Sequence, residues 1–198
     1  MIKVTILGAG GHGKDIKDII DSTSGYIFVG FYDDNASGPH ILGTFSDYYQ
    51  TTDIHYVIGI NDSSERARID SKIPDRLRTA SPIVHPTAYT GSNVALDRGV
   101  VIGAGAVLTT NVSVGRHAHV NVNATISQNS SIGNYSTVSP GANICGDCKI
   151  DDRTMIGAGA TVINLMNIGS DCIIGAGATV VSHIPDNSKA VGTPARLI

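Results

Sequence analysis

A chain of 198 residues suffices for one large domain or two small ones, and its 41% hydrophobic content includes only 5% aromatic, with 23 Gly, 3 Phe and no Trp. Such a chain must fill its core with small aliphatic side chains, and its net charge of −3 excludes the basic footprint of a nucleic-acid binder. No apolar run approaches the roughly 18–20 residues that a bilayer crossing needs, and the start lacks the layout of a signal peptide, so the expected compartment is the cytoplasm. Cys145 and Cys148 form a C-x-x-C without a second pair or nearby His, so no metal site is expected.

Taken in chain order, Val4 to Leu7 reads as a buried strand that runs into Gly8-Ala9-Gly10-Gly11-His12-Gly13. From Asp15 to Asp21, Ile16, Ile19 and Ile20 fall at helical spacing. A second strand over 27–32 ends at Asp33-Asp34-Asn35, and a third over 54–60 ends at Asn61-Asp62. Glu65 to Ile73 then reads as a helix. This βαβαβ order predicts a small α/β domain over residues 1–80. Its glycine-rich first turn offers backbone N–H groups and a helix N-terminus to a phosphate, with an acid after the second strand at a distance suited to a ribose or base.

From Val84 a step of six residues meets an aliphatic side chain at 16 of 17 positions up to Val180, the exception being Thr90. Four residues after each comes a mostly small residue, such as Ala106, Ala118, Ala124 or Ala142. Three residues after each, Asn, Asp or Gly recurs, as at Asn93, Gly105, Asn123 and Gly141. Asn, Asp and Gly tolerate positive φ, so the chain can turn a corner every six residues. The aliphatic and small columns point inward on either side of each corner, as strand alternation requires. Three short strands per 18 residues make a triangular prism, a parallel β-helix over residues 81–184, followed by a tail over 185–198.

The combination resembles the hexapeptide-repeat acyltransferases, in the sialic-acid O-acetyltransferase and UDP-4-amino-sugar N-acetyltransferase (bacillosamine-type) family. Gly-x-Gly-Gly-His-Gly, Asp33-Asp34, Gly59-Ile60-Asn61 with Arg66, the hexads and the tail Val191-Gly192-Thr193-Pro194-Ala195-Arg196 carry the resemblance over essentially the whole chain. It implies a left-handed coil, a homotrimer with active sites between subunits, and acetyl-CoA lying along the prism as acyl donor. It also implies that the first domain binds a nucleotide-linked (UDP or dTDP) amino sugar. By the resemblance, Gly8, Gly10, Gly11, His12 and Gly13 face the phosphates and sugar. Asp33 and Asp34 lie at the base or ribose, Asn61 also binds the substrate, and Asn121 contacts the sugar. The N–H of Gly146 meets the thioester oxygen, and Ala158, Asn164, Ala176 and Gly177 line the cofactor.

One hexad departs from the family. Where it carries aliphatic-Ser-His-Asp/Glu, with the His as general base and the acid orienting it, this chain has Ile126-Ser127-Gln128-Asn129. Neither Gln128 nor Asn129 accepts a proton near neutral pH. A second family His falls on Thr137. The expectation is therefore N-acetylation of an amino sugar, with Gln128 and Asn129 at the catalytic position and no His base. The alternatives are an O-acyltransferase whose base has moved to His119 or His117, and a catalytically silent sugar-nucleotide-binding protein.

Overall fold

A computed structural model describes residues 1–198. The first domain has four strands, β1 (Ile2–Leu7), β2 (Tyr26–Tyr32), β3 (Ile41–Gly43) and β4 (His55–Ile58), paired in parallel in the order β3-β2-β1-β4. Helices α1 (Gly11–Ser22), α2 (Phe45–Tyr48) and α3 (Ser63–Asp70) cover the sheet. The short β3 and α2 are absent from the sequence expectation. Three residues are too few for an alternation to be read, and α2 is one turn held by the Thr44–Asp47 capping box.

α1 lays Ile16 and Ile20 on Val4, Ile6 and Val57. The opposite face of the sheet packs Leu7, Tyr32, Tyr48, Tyr56, Ile58 and Ile69. α1 can begin so close to the strands only because its contact residue lacks a side chain: a Cβ on Gly13 would sit 2.1 Å from the carbonyl oxygen of Gly8. The C-terminal ends of β1, β2 and β4 thereby converge on the start of α1.

The second part is a left-handed parallel β-helix of about six turns. Two-residue strands run from Ile83–Val84 to Thr179–Val180, each pairing with the strand 18 residues away. A first face contains Val101–Ile102, His119–Val120 and Thr137–Val138. A second contains Val107–Leu108, Thr125–Ile126 and Asn143–Ile144, and a third Ser113–Val114, Ser131–Ile132 and Lys149–Ile150. Every sixth residue from Asn93 to Gly177 has positive φ, one at each corner. The aliphatic column is buried as the repeat requires. Where the small column holds a hydroxyl, the hydroxyl ties successive coils: Ser136 Oγ donates to Asp151 O at 2.7 Å and accepts from Thr154 N at 2.9 Å. The tail adds Lys189–Val191 to the first face and folds Arg196–Leu197 back on it, placing Ala190 and Ala195 over the end of the core.

The α/β domain sits on the first face, with Ile83 and Val101 joining the α1 cluster. Arg66 of α3 is fully buried at this junction. Its Nε donates to His117 O at 3.1 Å and its Nη1 to Ile60 O and Asn61 O at 2.8 and 2.9 Å. Its Nη2 donates to Thr137 Oγ1 at 2.8 Å and to Tyr135 O. Burial lowers the guanidinium pKa to about 9. One helical turn on, Asp70 accepts from Arg116 Nε at 2.8 Å and from the Tyr135 hydroxyl at 2.7 Å. Burial alone would raise the Asp70 pKa; His117 and Arg116 beside it outweigh that and hold it well below the usual carboxylate range.

Arg66→Met should strand several buried carbonyls at once, so a loss of about 3 kcal/mol or more is expected in denaturant unfolding. A loss below about 1 kcal/mol would mean that the domains are held elsewhere.

Candidate functional site

The turn after β1 is shaped by its glycines and by Asp33. Gly8 has φ 109 and donates its N–H to Tyr32 O at 2.9 Å. Asp33 Oδ2 accepts from Ala9 N at 2.7 Å, and its Oδ1 accepts from Asn35 N and Ala36 N at 2.8 and 3.0 Å. Asp34 is exposed and accepts from Phe45 N at 2.9 Å. Both acids thus hold neighbouring loops in place through backbone N–H groups. α1 begins with no side-chain cap, and a Cβ on Gly10 or Gly11 would meet nothing within 4 Å. Open backbone N–H groups at the end of a 12-residue helix are suited to an anion.

His12, on the first turn of α1, reaches the prism. Its Nε2 lies 2.8 Å from His119 Nδ1, so one ring donates and the other accepts. The rings are tilted by 41° with centroids 4.9 Å apart. Burial, and then the Arg66 charge, lower the His12 pKa to about 4 and push that of His119 well below its ordinary value. Both rings are neutral at pH 7. His12 and Asn121 line a cavity of about 270 Å³ between α1 and the prism, with Asp15, Asp18, His85 and Gly103. Asn121 donates to Val138 O at 3.2 Å. Asn61 lines a separate hollow with Arg153, Met155 and Asp171.

The expectation that His119 or His117 could stand free as a relocated base meets a different structure. His119 is 1% exposed, with its Nδ1 covered by His12. His117 is fully buried, with Nε2 3.2 Å from Asp70 Oδ1, and its ring stacks between Tyr56 and Tyr135. Thr137, where the family's second His falls, is buried under Arg66. The domain interface, invisible in the hexad pattern, takes these positions.

The remaining residues fall on two corners of the prism. Gln128, Gly146 and Asn164 share the corner between the second and third faces, one coil apart. The Gln128 amide lies so close over Gly146 that a Cβ there would be 2.2 Å from its Nε2. The Gly146 N–H makes no hydrogen bond within the chain. Asn129 does not serve Gln128. It has φ 59 and belongs to a ladder in which Asn93 donates to Asn111, Asn111 to Asn129, and Asn129 to Asp147 at 3.0 Å. Ala158, Ala176 and Gly177 are exposed on the other corner, between the first and second faces, which Asn121 also borders. One chain therefore brings His12 to Asn121 and Gln128 to Gly146, but not the two sets together.

Comparison with known proteins bears on both halves. Residues 3–73 match the PglD N-terminal domain and residues 129–164 the bacterial transferase hexapeptide (six repeats). Among curated protein sequences nothing matches. Perosamine N-acetyltransferase from Caulobacter crescentus, solved as a His-to-Asn variant with CoA and GDP-perosamine, superposes with a TM-score of 0.90 at 26% identity, over 98% of this chain and 96% of that one. WeeI from Acinetobacter baumannii AYE gives 0.87 at 25% identity, over 98% and 99%. The acetyltransferase domain of PglB from Neisseria gonorrhoeae FA1090 gives 0.80 at 25%, over the full length of both chains. An α/β domain of PglD type docked on a left-handed prism of hexapeptide repeats thus runs the length of the molecule, matching the hexapeptide acyltransferase family.

Proposed function

We propose that the protein transfers the acetyl group of acetyl-CoA to the amino group of a nucleotide-linked amino sugar, without a histidine base. The nucleotide of the acceptor is UDP or dTDP, as expected above, or GDP, which the Caulobacter relative binds. The open N-terminus of α1 takes the diphosphate, and His12 and Asn121 take the sugar. The observation that carries the reading is the Gln128–Gly146 corner: an unpartnered backbone N–H beneath a side chain that can position but cannot accept a proton.

The chemistry follows from that corner. The neutral amine attacks the thioester carbonyl, and the Gly146 N–H donates to the oxyanion that develops. The C–S bond breaks, CoA leaves as a thiolate that is then protonated, and the ammonium proton of the adduct passes to solvent. An amine beside electron-withdrawing substituents titrates near an α-amino group, about 7.7–8.0, so a useful fraction is nucleophilic at neutral pH. An alcohol has no such fraction, which favours N- over O-acylation.

Because His12 and Asn121 stand on one corner and Gln128 and Gly146 on another, a complete site needs two copies of the chain. A homotrimer with three shared sites meets that need by the closed symmetry usual in oligomers. A second reading, O-acylation with His12 as base and His119 behind it, is favoured only by their 2.8 Å contact. A silent sugar-nucleotide binder would show binding without thiol release.

Thiol release from acetyl-CoA with UDP-, dTDP- and GDP-amino sugars is expected, and none with the corresponding hydroxyl sugars. kcat/KM should rise with pH along the amine's own titration. No enzyme inflection should interrupt that rise, because no histidine acts as the base; burial lowers the pKa of both His12 and His119. Gln128→Ala should cost less than about tenfold, against the 10²–10⁴ of a positioned base. An inflection near pH 4 that disappears in His12→Asn, or turnover of hydroxyl acceptors that His12→Asn abolishes, would favour the second reading. Sedimentation should give a trimer; an active monomer would remove the shared site. Installing the family dyad should also meet a specific obstacle. Asn129→Asp places a carboxylate against Asp147, at a cost of about 1 kcal/mol for like charges in water. Gln128→His with Asn129→Asp should therefore be less stable to heat than Gln128→His alone, and Asp147→Asn should restore it.

A further inference from the structure

Four corners of the prism hold left-handed backbone on a residue other than Gly, Asn or Asp: His117 (φ 52), Tyr135 (φ 59), Arg153 (φ 55) and Leu165 (φ 67). That conformation is unfavourable for any residue with a Cβ, least so for Asn and Asp, and it persists where something compensates it. For three of the four the compensation is visible. His117 stacks between Tyr56 and Tyr135 with centroids 5.5 and 5.9 Å away, and Tyr135 also donates to Asp70. Arg153 makes a two-pronged pair with Asp171, both hydrogen bonds at 2.7 Å.

Leu165 has no such partner, and its side chain stands in solvent at 66% exposure. Its backbone N–H donates to Gly146 O at 3.1 Å, so it sits one coil beyond the Gly146–Gln128 pair on the same corner. Ile163 and Val181, one coil apart on this corner, are also exposed, at 36% and 41%. Three aliphatic side chains thus form a narrow apolar edge that begins beside the free Gly146 N–H and runs toward the C-terminal end of the prism. An edge one or two side chains wide is far short of the roughly 800 Å² per partner of a stable protein interface. It matches the width of an extended ligand chain.

We propose that Leu165 is a cofactor-affinity residue: with Ile163 and Val181 it forms an apolar rail for the methylene and methyl carbons of the pantetheine arm of acetyl-CoA, at the expense of backbone strain. The assignment rests on the acyl-CoA reading above. Asn, Asp or Gly at 165 would continue the corner column that Asn129 and Asp147 occupy in the coils before it, without strain. A leucine there trades stability for contact with the donor.

The full-length Leu165→Asn and Leu165→Gly proteins test this, with CoA itself as the probe in titration calorimetry. Relief of strain should raise Tm by about 2–4 °C. Loss of the rail should raise the Kd for CoA about tenfold. KM for the sugar nucleotide and the sedimentation coefficient should not change. A purely structural leucine would give the rise in Tm without the weaker CoA binding, and unchanged affinity in either variant would overturn the assignment. Dissociation of the assembly in the variants would also overturn it, by making Leu165 a subunit contact. Failure of the native protein to bind CoA would instead overturn the acyltransfer reading on which the assignment rests.

Discussion

The arrangement depends on a buried cation that has no carboxylate partner. Arg66 is enclosed where the α/β domain meets the prism, and its partners are carbonyl oxygens and one hydroxyl. Leaving an ionised group in such a place is costly unless its hydrogen bonds are made. Arg66 makes them to both domains at once, so the domains cannot separate without stranding it. Asp70 repeats the device one turn along α3, gathering Arg116, Tyr135 and Tyr56 around a carboxylate held ionised.

That junction sets the chemistry of the first corner. By fixing α1 against the first face, it presses His12 onto His119, and the Arg66 charge adds to burial in keeping both rings neutral. Protonating either ring would put a second cation beside the first. The junction also uses up Thr137, His117 and His119, the positions where a relocated acceptor of protons could have been sought. What the interface leaves open is the uncapped start of α1 and the cavity beneath His12 and Asn121.

On the far corner the constraint is the coil itself. Side chains one turn apart stand directly over each other, so any position is judged by the residue 18 places away. Asn129 is read by Asn111 below and Asp147 above, and Gln128 by Gly146. A change of charge at one position therefore propagates along a column, so an acid at 129 would stand against Asp147. Leu165 shows the same rule from the other side, as a residue that its column does not explain.

The sequence by itself determined the prism, because a two-residue strand, a small residue and a corner recur at a fixed period and each has a local cause. Asn93, Gly105 or Gly141 announces its own corner through what its backbone can adopt. The glycine-rich turn and its helix were legible for the same reason, since Gly8 and Gly13 answer to neighbours a few residues away. The departure from the family's hexad was legible too, as Gln128 and Asn129 where the resemblance expects a His and an acid. Only the tertiary structure decided the roles of Arg66, His117, His119 and Asp70, whose partners lie across the domain junction at separations that no periodicity encodes. Asn129 passed from the catalytic position to a structural ladder for the same reason: its partners are 18 residues away on either side. The division of the site residues between two corners likewise follows from closing the chain into a triangle. Neighbours along the sequence are then separated by a face, and residues a full coil apart are brought into contact.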